Sequence, residues 1–212
     1  MIKIKDLTVK NFMSVGNQTQ AVDFDQQQLT LVLGENLDQG GDDQGSRNGT
    51  GKTTIINALS YALYGMALTN IKRNNLINKT NGKGMLVTLH FEKDGVDYRV
   101  ERGRGPNLLK FYINNQEQEL IDESQGDSRK TQETINELLG MSHDMFKHIV
   151  ALNTYTEPFL SMRTNDQRAI IEQLLGITIL TEKSNALKDK IKETKDAITQ
   201  ETLKIEAIET SN

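Results

Sequence analysis

The sequence predicts an α/β fold, and three observations carry that prediction. Apolar and polar residues alternate, as in β-strands, near the N-terminus and again over residues 85–121. A glycine-rich stretch separates an apolar segment at 29–33 from an apolar run at 53–64 that has the length of a helix. From Ser128 onward the pattern is helical. A chain of 212 residues in this order suits one domain with an appendage.

The first elements are predicted to be strands. Apolar residues pattern the first strand, namely Ile2, Ile4, Leu7 and Val9. A second strand is predicted at 21–24 and a third at 29–33, where five apolar or β-branched residues follow one another. The run at 53–64 is predicted to be a helix. Gly65 is suited to end it, because glycine readily adopts the left-handed conformation found there.

Residues 85–121 are predicted to form an antiparallel lobe of two hairpins. The first hairpin turns at Asp94-Gly95, a dipeptide typical of tight turns between strands. The second turns at Asn114-Asn115. The strand before Asp94 alternates polar and apolar residues, so we expect it to be half exposed rather than buried on both faces.

The rest of the chain up to residue 178 is predicted to be helical. One helix begins near Ser128 and ends at Gly140. The segment Thr164-Asn165-Asp166-Gln167 has the spacing of a capping box, and the helix after it ends at Gly176.

Residues 179–212 are predicted to begin a coiled coil. Steps of alternately four and three residues give a mostly apolar seam, comprising Leu180, Ser184, Leu187, Ile191, Thr194, Ile198, Glu201, Ile205 and Ile208. A narrow seam with charged flanks favours helix pairing, with a solvated helix packed on the head as the alternative. We therefore predict a head over 1–178, with an insertion at 37–47 and the lobe at about 85–121.

Composition excludes some classes of protein. The net charge of −4 argues against a generally basic surface for nucleic acid, so such binding would need a local patch. One candidate is a basic strip made of Arg99, Arg102, Arg104 and Lys110, with Lys72 and Arg73, and a solvated sheet face is an equally favoured alternative. There is no cysteine, which excludes disulfides and suits a reducing compartment. We find neither a signal peptide nor a membrane span, and expect a soluble protein.

The segment before the predicted helix has the pattern of a phosphate-binding loop. It reads Asn48, Gly49, Thr50, Gly51, Lys52, Thr53 and Thr54. Glycines let backbone N–H groups approach phosphate oxygens, Lys52 supplies a charge for the β- and γ-phosphates, and the Thr53 hydroxyl suits Mg²⁺. Ser46 stands where the strict motif has glycine, although Gly45 adjoins it. An accidental glycine-rich surface loop is the less favoured alternative.

An insertion precedes this motif. Gly34-Glu35-Asn36 already resembles the start of a phosphate-binding loop, but residues 37–47 intervene before Asn48. The Gly, Asp, Gln and Ser of the insertion are typical of a solvated loop. It is either a lid on the site or a surface decoration, and the sequence leaves both open.

The chain resembles the N-terminal half of the SbcC-type, SMC-related DNA-repair ATPases, especially those of T-even-like bacteriophages. Five segments carry the resemblance, namely 7–16, 48–59, 146–154, 157–160 and 168–176. They span nearly the whole chain. The resemblance implies a P-loop NTPase head of the ABC/SMC type, with an antiparallel β lobe and the start of a coiled coil.

The resemblance also implies a split site. In that family the N-terminal half binds ATP and Mg²⁺ through the phosphate loop, here residues 48–54, with Thr53 on the metal. Asn153 stands where the family has its Q-loop glutamine and would touch nucleotide and metal, although Asn is shorter by one methylene. The C-terminal half supplies a Ser-Gly-Gly signature and an acidic strand. This chain has no Ser-Gly-Gly, so we expect ATPase activity only when it is completed by such a half.

The implied function is ATP-driven control of a DNA-end-processing exonuclease in recombination and double-strand-break repair. The implied partners are the C-terminal half of the same ATPase, a second head, an SbcD-type nuclease subunit and double-stranded DNA ends, with no membrane. The implied location is the cytoplasm, that of the host if the chain is phage-encoded. Alternatives are a truncated ATP-binding tether without hydrolysis, and a RecF-type ATPase, which would lack a long coiled coil.

Overall fold

A computed structural model describes residues 1–26, 29–35, 49–118, 128–152 and 157–209. The chain divides into two compact units, Met1–Glu157 and Pro158–Asn212. The boundary between them falls earlier than the division after residue 178 that the sequence suggested. That functional division, into head and coiled coil, stays a prediction.

The first unit is built on one six-stranded sheet in the order β2-β1-β3-β4-β5-β6. The strands are β1 (Ile2–Lys10), β2 (Gln20–Asp23), β3 (Met85–Lys93), β4 (Val96–Arg104), β5 (Leu108–Ile113) and β6 (Gln116–Glu117). All neighbours are antiparallel. The predicted lobe is therefore not separate from the N-terminal strands, because β1 pairs along its length with β3.

The two predicted turns join the hairpins of this sheet. Asp94 and Gly95 have φ of 53° and 80°, and Asn114 and Asn115 have φ of 48° and 65°. Two successive left-handed residues match the twist of antiparallel strands, and Asn, Asp and Gly tolerate that conformation best. Both predicted hairpins are confirmed up to Gln118, beyond which residues 119–127 lie outside the described part of the chain.

The core lies between one face of the sheet and helix α1 (Lys52–Tyr64). One row across four strands aligns Leu7, Leu89, Val100 and Phe111 in register, and all four are buried. Alternation along each strand produces this apolar face. The helix adds Ala58, Tyr61, Ala62 and Leu63 to the same core.

The predicted strand at 29–33 is wrong. Residues 29–35 form no ladder with any described strand, and Leu29, Leu31 and Leu33 are exposed. A strand needs a neighbour to pair its backbone groups and to cover its side chains. None of the described strands lies beside this segment, so its strong β-pattern is left without a partner.

Helices follow the sheet. In the first unit they are α2 (Arg129–Leu139) and α3 (His143–Met145), which continues into a π-helical turn at Phe146–Val150. The second unit contains α4 (Thr164–Leu174) and the 32-residue α5 (Thr178–Glu209). Short 3-10 turns occur at Arg73–Leu76 and Phe159–Ser161. Gly65 and Gly140 end α1 and α2 with φ of 68° and 61°, as predicted.

The predicted capping box before α4 is wrong. The N-cap residue is Arg163, one residue before the predicted cap, and no side chain caps the helix. Gln167 turns the other way, and its Nε2 donates to the carbonyls of Phe159 and Met162 at 3.0 and 3.1 Å. The side chain thus fixes the approach to the helix instead of closing its first turn.

Helix α5 exposes the predicted seam. Leu187, Ile191 and Ile198 are each about half exposed, as are Ile205 and Ile208. The helix is long and its apolar stripe is one residue wide, which is typical of a coiled-coil strand. Within the described chain no second helix covers this stripe.

Arg102 joins the C-terminal end of α1 to the sheet through hydrogen bonds. Its side chain points from β4 into the core, its Nε donates to the Ala62 carbonyl at 3.1 Å, and its guanidinium donates to Gln132 at 2.6 Å. Gln132 Nε2 in turn donates to the Leu63 carbonyl at 3.0 Å. The last carbonyls of a helix lack partners within it and attract positive charge. Arg102 and Gln132 therefore cap the C-terminal end of α1.

The buried guanidinium remains charged despite its surroundings. Burial lowers the pKa of Arg102 to about 10, which still leaves it protonated at neutral pH. Gly65 leaves room for it, because a Cβ there would lie 2.8 Å from a guanidinium nitrogen.

The predicted basic strip is not one continuous surface, because its members face different ways. Arg102 is buried in the core, whereas Arg99 and Lys110 lie on the outer face and pair with Glu101 and Glu117 at 3.2 and 3.0 Å. Alternation along β4 sends Arg99 and Arg102 to opposite faces of the sheet.

Replacing Arg102 with Met should destabilise the fold by roughly 1.5–3 kcal/mol, because buried acceptors lose a charged donor. Urea unfolding followed by circular dichroism would measure this change. Arg104→Met is the matched control, since Arg104 lies two residues along the same strand and bonds only to the Asn74 side chain among the interactions described. We expect the control to lower the free energy of unfolding by less than about 0.5 kcal/mol. Equal losses of stability in the two variants would contradict the role of Arg102 at the end of α1.

Candidate nucleotide-binding site

The start of α1 forms a cradle of backbone N–H groups. Gly49 and Gly51 have φ of 78° and 92°, a conformation that residues with a Cβ rarely adopt. Gly51 is the N-cap of the helix, and the N–H of Thr54 donates to its carbonyl at 3.0 Å. A nest of left-handed residues before a helix collects N–H groups, and the helix dipole adds positive potential. The cradle suits a phosphate.

Lys52 and Thr50 lie together at this cradle. The Lys52 ammonium donates to the Thr50 hydroxyl at 3.2 Å. Gly34 approaches both, because a Cβ there would lie 1.8 Å from the Thr50 hydroxyl and 3.0 Å from the Lys52 ammonium. The segment 29–35 therefore ends directly against the cradle, and only glycine fits at that contact.

Ser14 contacts the cradle from the loop that follows β1. Its hydroxyl lies 3.0 Å from the hydroxyl of Thr54, which is buried in the first turn of α1. Sequence reasoning included Ser14 in the family-like segment 7–16 but gave it no role at the site. No motif spacing connects two residues so far apart in the chain, and only the tertiary fold, which packs α1 on the sheet beside the loop after β1, brings them together.

A cavity of about 330 Å³ adjoins Ser14. Its lining includes Met13, Ser14, Ile77, Asn78 and Lys79. The walls are thus partly apolar and partly amide, with one cation. Small-molecule sites commonly combine an apolar wall with a few polar groups.

Asparagine side chains fix the wall of this cavity. Asn78 is buried, its Nδ2 donates to the Met13 carbonyl at 2.9 Å, and its Oδ1 accepts from the N–H groups of Thr80 and Asn81. Asn11 Nδ2 donates to the Lys83 carbonyl at 2.9 Å. These bonds tie the loop after β1 to residues 76–84, so Ser14 is held in place from both sides.

The other end of α1 connects the cradle to the segment that precedes Asn153. The Ser60 hydroxyl donates to the Met66 carbonyl at 2.8 Å and lies 3.0 Å from His143 Nε2. Tyr64 donates to the Met141 carbonyl at 3.1 Å and its ring packs on Phe146. Burial lowers the pKa of His143, which favours the neutral ring beside Ser60.

Some predicted site residues fall outside the described part of the chain. These are Asn48, Asn153 and the insertion at 37–47, which contains Gly45 and Ser46. Their roles stay predictions. Thr53, the predicted magnesium ligand, is exposed in the first turn of α1, and its carbonyl accepts from Asn57 Nδ2 at 2.9 Å.

The cradle is rich in donors and poor in carboxylates. No Asp or Glu occurs from Gly49 through Phe91. Among the described residues, no group of three or more His, Cys, Asp or Glu side chains is placed to hold a metal ion. A cation here would be held mainly by phosphate oxygens, with the Thr53 hydroxyl as a protein ligand.

Together, the strand-rich α/β fold and this cradle define a P-loop nucleotide-binding protein. The chain belongs to the AAA domain family, whose model matches residues 6–211. Its relatives further identify it with the N-terminal part of SbcC-type, SMC-related ATPases, as the sequence predicted.

Two of these relatives come from bacteriophages. The chain is 33% identical to exonuclease subunit 2 of Escherichia phage RB69, over 90% of this chain and 31% of that protein. It is 35% identical to exonuclease subunit 2 of Enterobacteria phage T4, over 85% of this chain and 30% of that protein. A bacterial relative is the SbcC subunit of the nuclease SbcCD from Lactococcus lactis, at 26% identity over 82% of this chain and 18% of the relative. The chain spans less than a third of these proteins.

A solved structure supports the fold. The Smc head domain of Pyrococcus furiosus, with an extended coiled coil and bound to the C-terminal domain of ScpA, matches 94% of this chain and 48% of its own. The TM-score is 0.57 at 17% identity, so the likeness concerns the fold alone. Among the described residues, no helix combines the length and apolar character needed to cross a membrane.

Lys52→Ala should lower the affinity for Mg-ATP at least tenfold, or about 1.4 kcal/mol, because it removes the charge that faces the phosphates. Calorimetric titration would measure the affinity, and thermal unfolding without nucleotide should be unchanged. Lys188→Ala, on exposed α5, is the control and should bind like the parent chain. Parent-like binding by Lys52→Ala would show that the cradle has been assigned wrongly.

Proposed function

We propose that this chain is the ATP-binding N-terminal half of an SMC-like ATPase subunit that controls a DNA-end-processing exonuclease in recombination and double-strand-break repair. One observation carries the proposal, which is the glycine-rich cradle at the start of α1 in a chain of this family. The phage and bacterial relatives are named as nuclease subunits, and this supports the exonuclease context.

In this proposal the cradle holds the triphosphate of ATP. The N–H groups of residues 49–54 surround the phosphates, Lys52 binds the β- and γ-phosphates, and Thr53 binds Mg²⁺. Asn48 and Asn153 would complete the contacts. The cavity beside Ser14 adjoins the cradle and is partly apolar, so it suits the nucleoside. The metal supplies charge neutralisation for phosphoryl transfer.

The cradle needs a second half to hydrolyse ATP. Hydrolysis requires a residue that positions water and further positive charge on the transition state, and the alternating, half-exposed β3 is unsuited to carry a buried catalytic carboxylate. The exposed segment 29–33 supports the proposal that a strand of the C-terminal half covers it, because the segment ends at the cradle with its apolar side chains uncovered. A strand from the C-terminal half would pair there and bring the acidic residue to the phosphates.

ATP turnover by the isolated chain should therefore be at least a hundredfold below that of the chain mixed with a C-terminal half that carries the signature and acidic motifs. A hundredfold corresponds to about 2.7 kcal/mol in the barrier. Phosphate release from highly purified protein would measure it. Lys52→Ala in the mixture is the control and should abolish turnover. Robust, Lys52-dependent hydrolysis by the isolated chain would contradict the split site.

The exposed seam of α5 supports pairing with a helix of that same half. Leu187, Ile191 and Ile198 lie on one stripe, and their uncovered side chains need a partner helix. The 32-residue length of α5 favours an SMC-like subunit over a RecF-type ATPase. We further propose that an SbcD-type nuclease subunit binds the surface formed by this pairing, and that two heads meet over ATP and hold double-stranded DNA ends in the cytoplasm.

Replacing Leu187 and Ile191 with Asp should abolish pairing with the C-terminal half, because burying each side chain contributes about 1.5–3 kcal/mol. Pull-down with that half and the nuclease subunit would measure it. Lys188→Asp with Lys192→Asp is the matched control, since both positions flank the seam, and it should retain pairing. Calorimetry should show unchanged ATP affinity in both variants. Undiminished association of the Leu187, Ile191 variant would place the interface elsewhere.

A further inference from the structure

One end of the sheet carries cations without carboxylates. We call it the cationic end and define it by Lys10, Lys72, Arg73, Lys79, Lys83 and Arg104. Lys72, Arg73, Lys79 and Lys83 are exposed, and the other two are half-buried. Within the described chain, none of the six forms an ion pair with Asp or Glu.

The fold brings these residues together from three parts of the chain. Lys10 ends β1 opposite Leu86, at the start of β3, and Arg104 ends β4 opposite Met85. The Gly84 N–H donates to the Gly105 carbonyl at 2.9 Å, which joins the loop before β3 to the end of β4.

The exposed loop of the cationic end is also fixed in place. Arg104 Nε donates to Asn74 in the 3-10 turn at 2.5 Å, and the N–H of Met13 donates to the Leu76 carbonyl at 2.7 Å. The exposed cations therefore stand on a backbone that is held at several points. Little further ordering would be needed when they bind a ligand, which favours affinity.

Acidic residues are missing from every segment that builds this end. No Asp or Glu occurs in residues 7–22, 65–91 or 102–116. The chain as a whole has more acidic than basic residues, 29 against 25. Its charges are thus separated in space, with a positive surface on a negative protein.

The rest of the sheet shows the contrast. At the opposite end Lys3 pairs with Asp25 at 2.6 Å, and Lys5 pairs with Glu92 and Asp97 at 3.2 and 2.6 Å. On the outer face the cations Arg99 and Lys110 also have carboxylate partners, as described above. Cations that lie close together without counter-charges repel one another, so a concentrated positive surface suits an anionic ligand.

We propose that the cationic end binds the phosphate backbone of double-stranded DNA without reading its sequence. The proposal rests on the proposed function and specifies which surface of the head meets the DNA. Lys and Arg neutralise phosphates, and exposed amides such as Asn74, Asn75 and Asn107 suit hydrogen bonds to phosphate and sugar.

A duplex fits this surface better than a single strand. Proteins that bind single strands stack the bases on exposed aromatic rings. Across residues 8–18, 69–86 and 102–108 the only aromatic residue is Phe12, which is fully buried. The surface offers charge and hydrogen bonds but no aromatic ring for stacking. It therefore suits a duplex, whose bases are already paired and stacked.

The test compares two double variants with the same change in net charge. Lys72→Glu with Arg73→Glu alters the cationic end, and Lys188→Glu with Lys190→Glu alters exposed residues of α5. Each reversal subtracts 2, so both variants change the formal net charge from −4 to −4 − 4 = −8. Fluorescence anisotropy of a labelled duplex of about 30 base pairs would measure binding by the full chain across a salt series.

We expect the parent to bind the duplex at about 50 mM salt, with affinity that falls as salt rises. The Lys72, Arg73 variant should lose at least tenfold in affinity, and its slope of log affinity against log salt should fall by about 1.8, or about 0.9 for each lost phosphate contact. The α5 variant should change less than about threefold. A parent that does not bind, an unchanged Lys72, Arg73 variant, or equal losses in both variants would each overturn the proposal.

Three further measurements test other ligands, and a fourth tests the Lys52→Ala variant. Calorimetry should give the Lys72, Arg73 variant parent-like affinity for Mg-ATP, and loss of ATP affinity with unchanged duplex binding would assign the cations to the nucleotide instead. A single strand of the same length should bind more weakly, and polyglutamate should compete poorly, so equal binding or competition would overturn the duplex. Lys52→Ala should retain duplex binding. A wrong assignment of the nucleotide site and a wrong assignment of the duplex surface would therefore give different results.

Discussion

The packing of α1 on the sheet is the constraint on which the rest of the first unit depends. Arg102 and Gln132 bind the last carbonyls of the helix, and the buried row from Leu7 to Phe111 supports its middle. With its C-terminal end closed in this way, α1 presents its N-terminal N–H groups at a fixed place. A phosphate site built from backbone groups requires such fixing, because its donors cannot adjust as side chains do.

Several loops then converge on that helix terminus. Ser14 contacts Thr54, Gly34 lies against Thr50 and Lys52, and Asn78 holds the carbonyl of Met13. The cradle, the adjoining cavity and the cationic end therefore share one hydrogen-bonded corner of the fold. A nucleotide and a nucleic acid bound there would meet the same backbone, and Lys79 belongs both to the cavity wall and to the cationic end.

Two apolar surfaces remain uncovered, and both favour association with further protein. Residues 29–33 offer an extended apolar segment next to the cradle, and α5 offers a narrow apolar stripe along its length. Uncovered apolar stretches of this kind usually mark interfaces. Their positions, one beside the nucleotide site and one along a long helix, suit a partner that completes the ATPase and pairs as a coiled coil.

Much of this protein was readable from the sequence alone. The glycines and Lys52 of the phosphate loop, the Asp94-Gly95 and Asn114-Asn115 turns, the end of α1 at Gly65 and the seam of α5 are local signals, because each depends on backbone conformation or periodicity over a few residues. Tertiary structure alone decided the rest. It joined the N-terminal strands to the β lobe, placed Arg102 against the C-terminal end of α1, brought Ser14 to Thr54, and left 29–33 without a ladder. These outcomes depend on which distant segments lie side by side, and local pattern does not encode that.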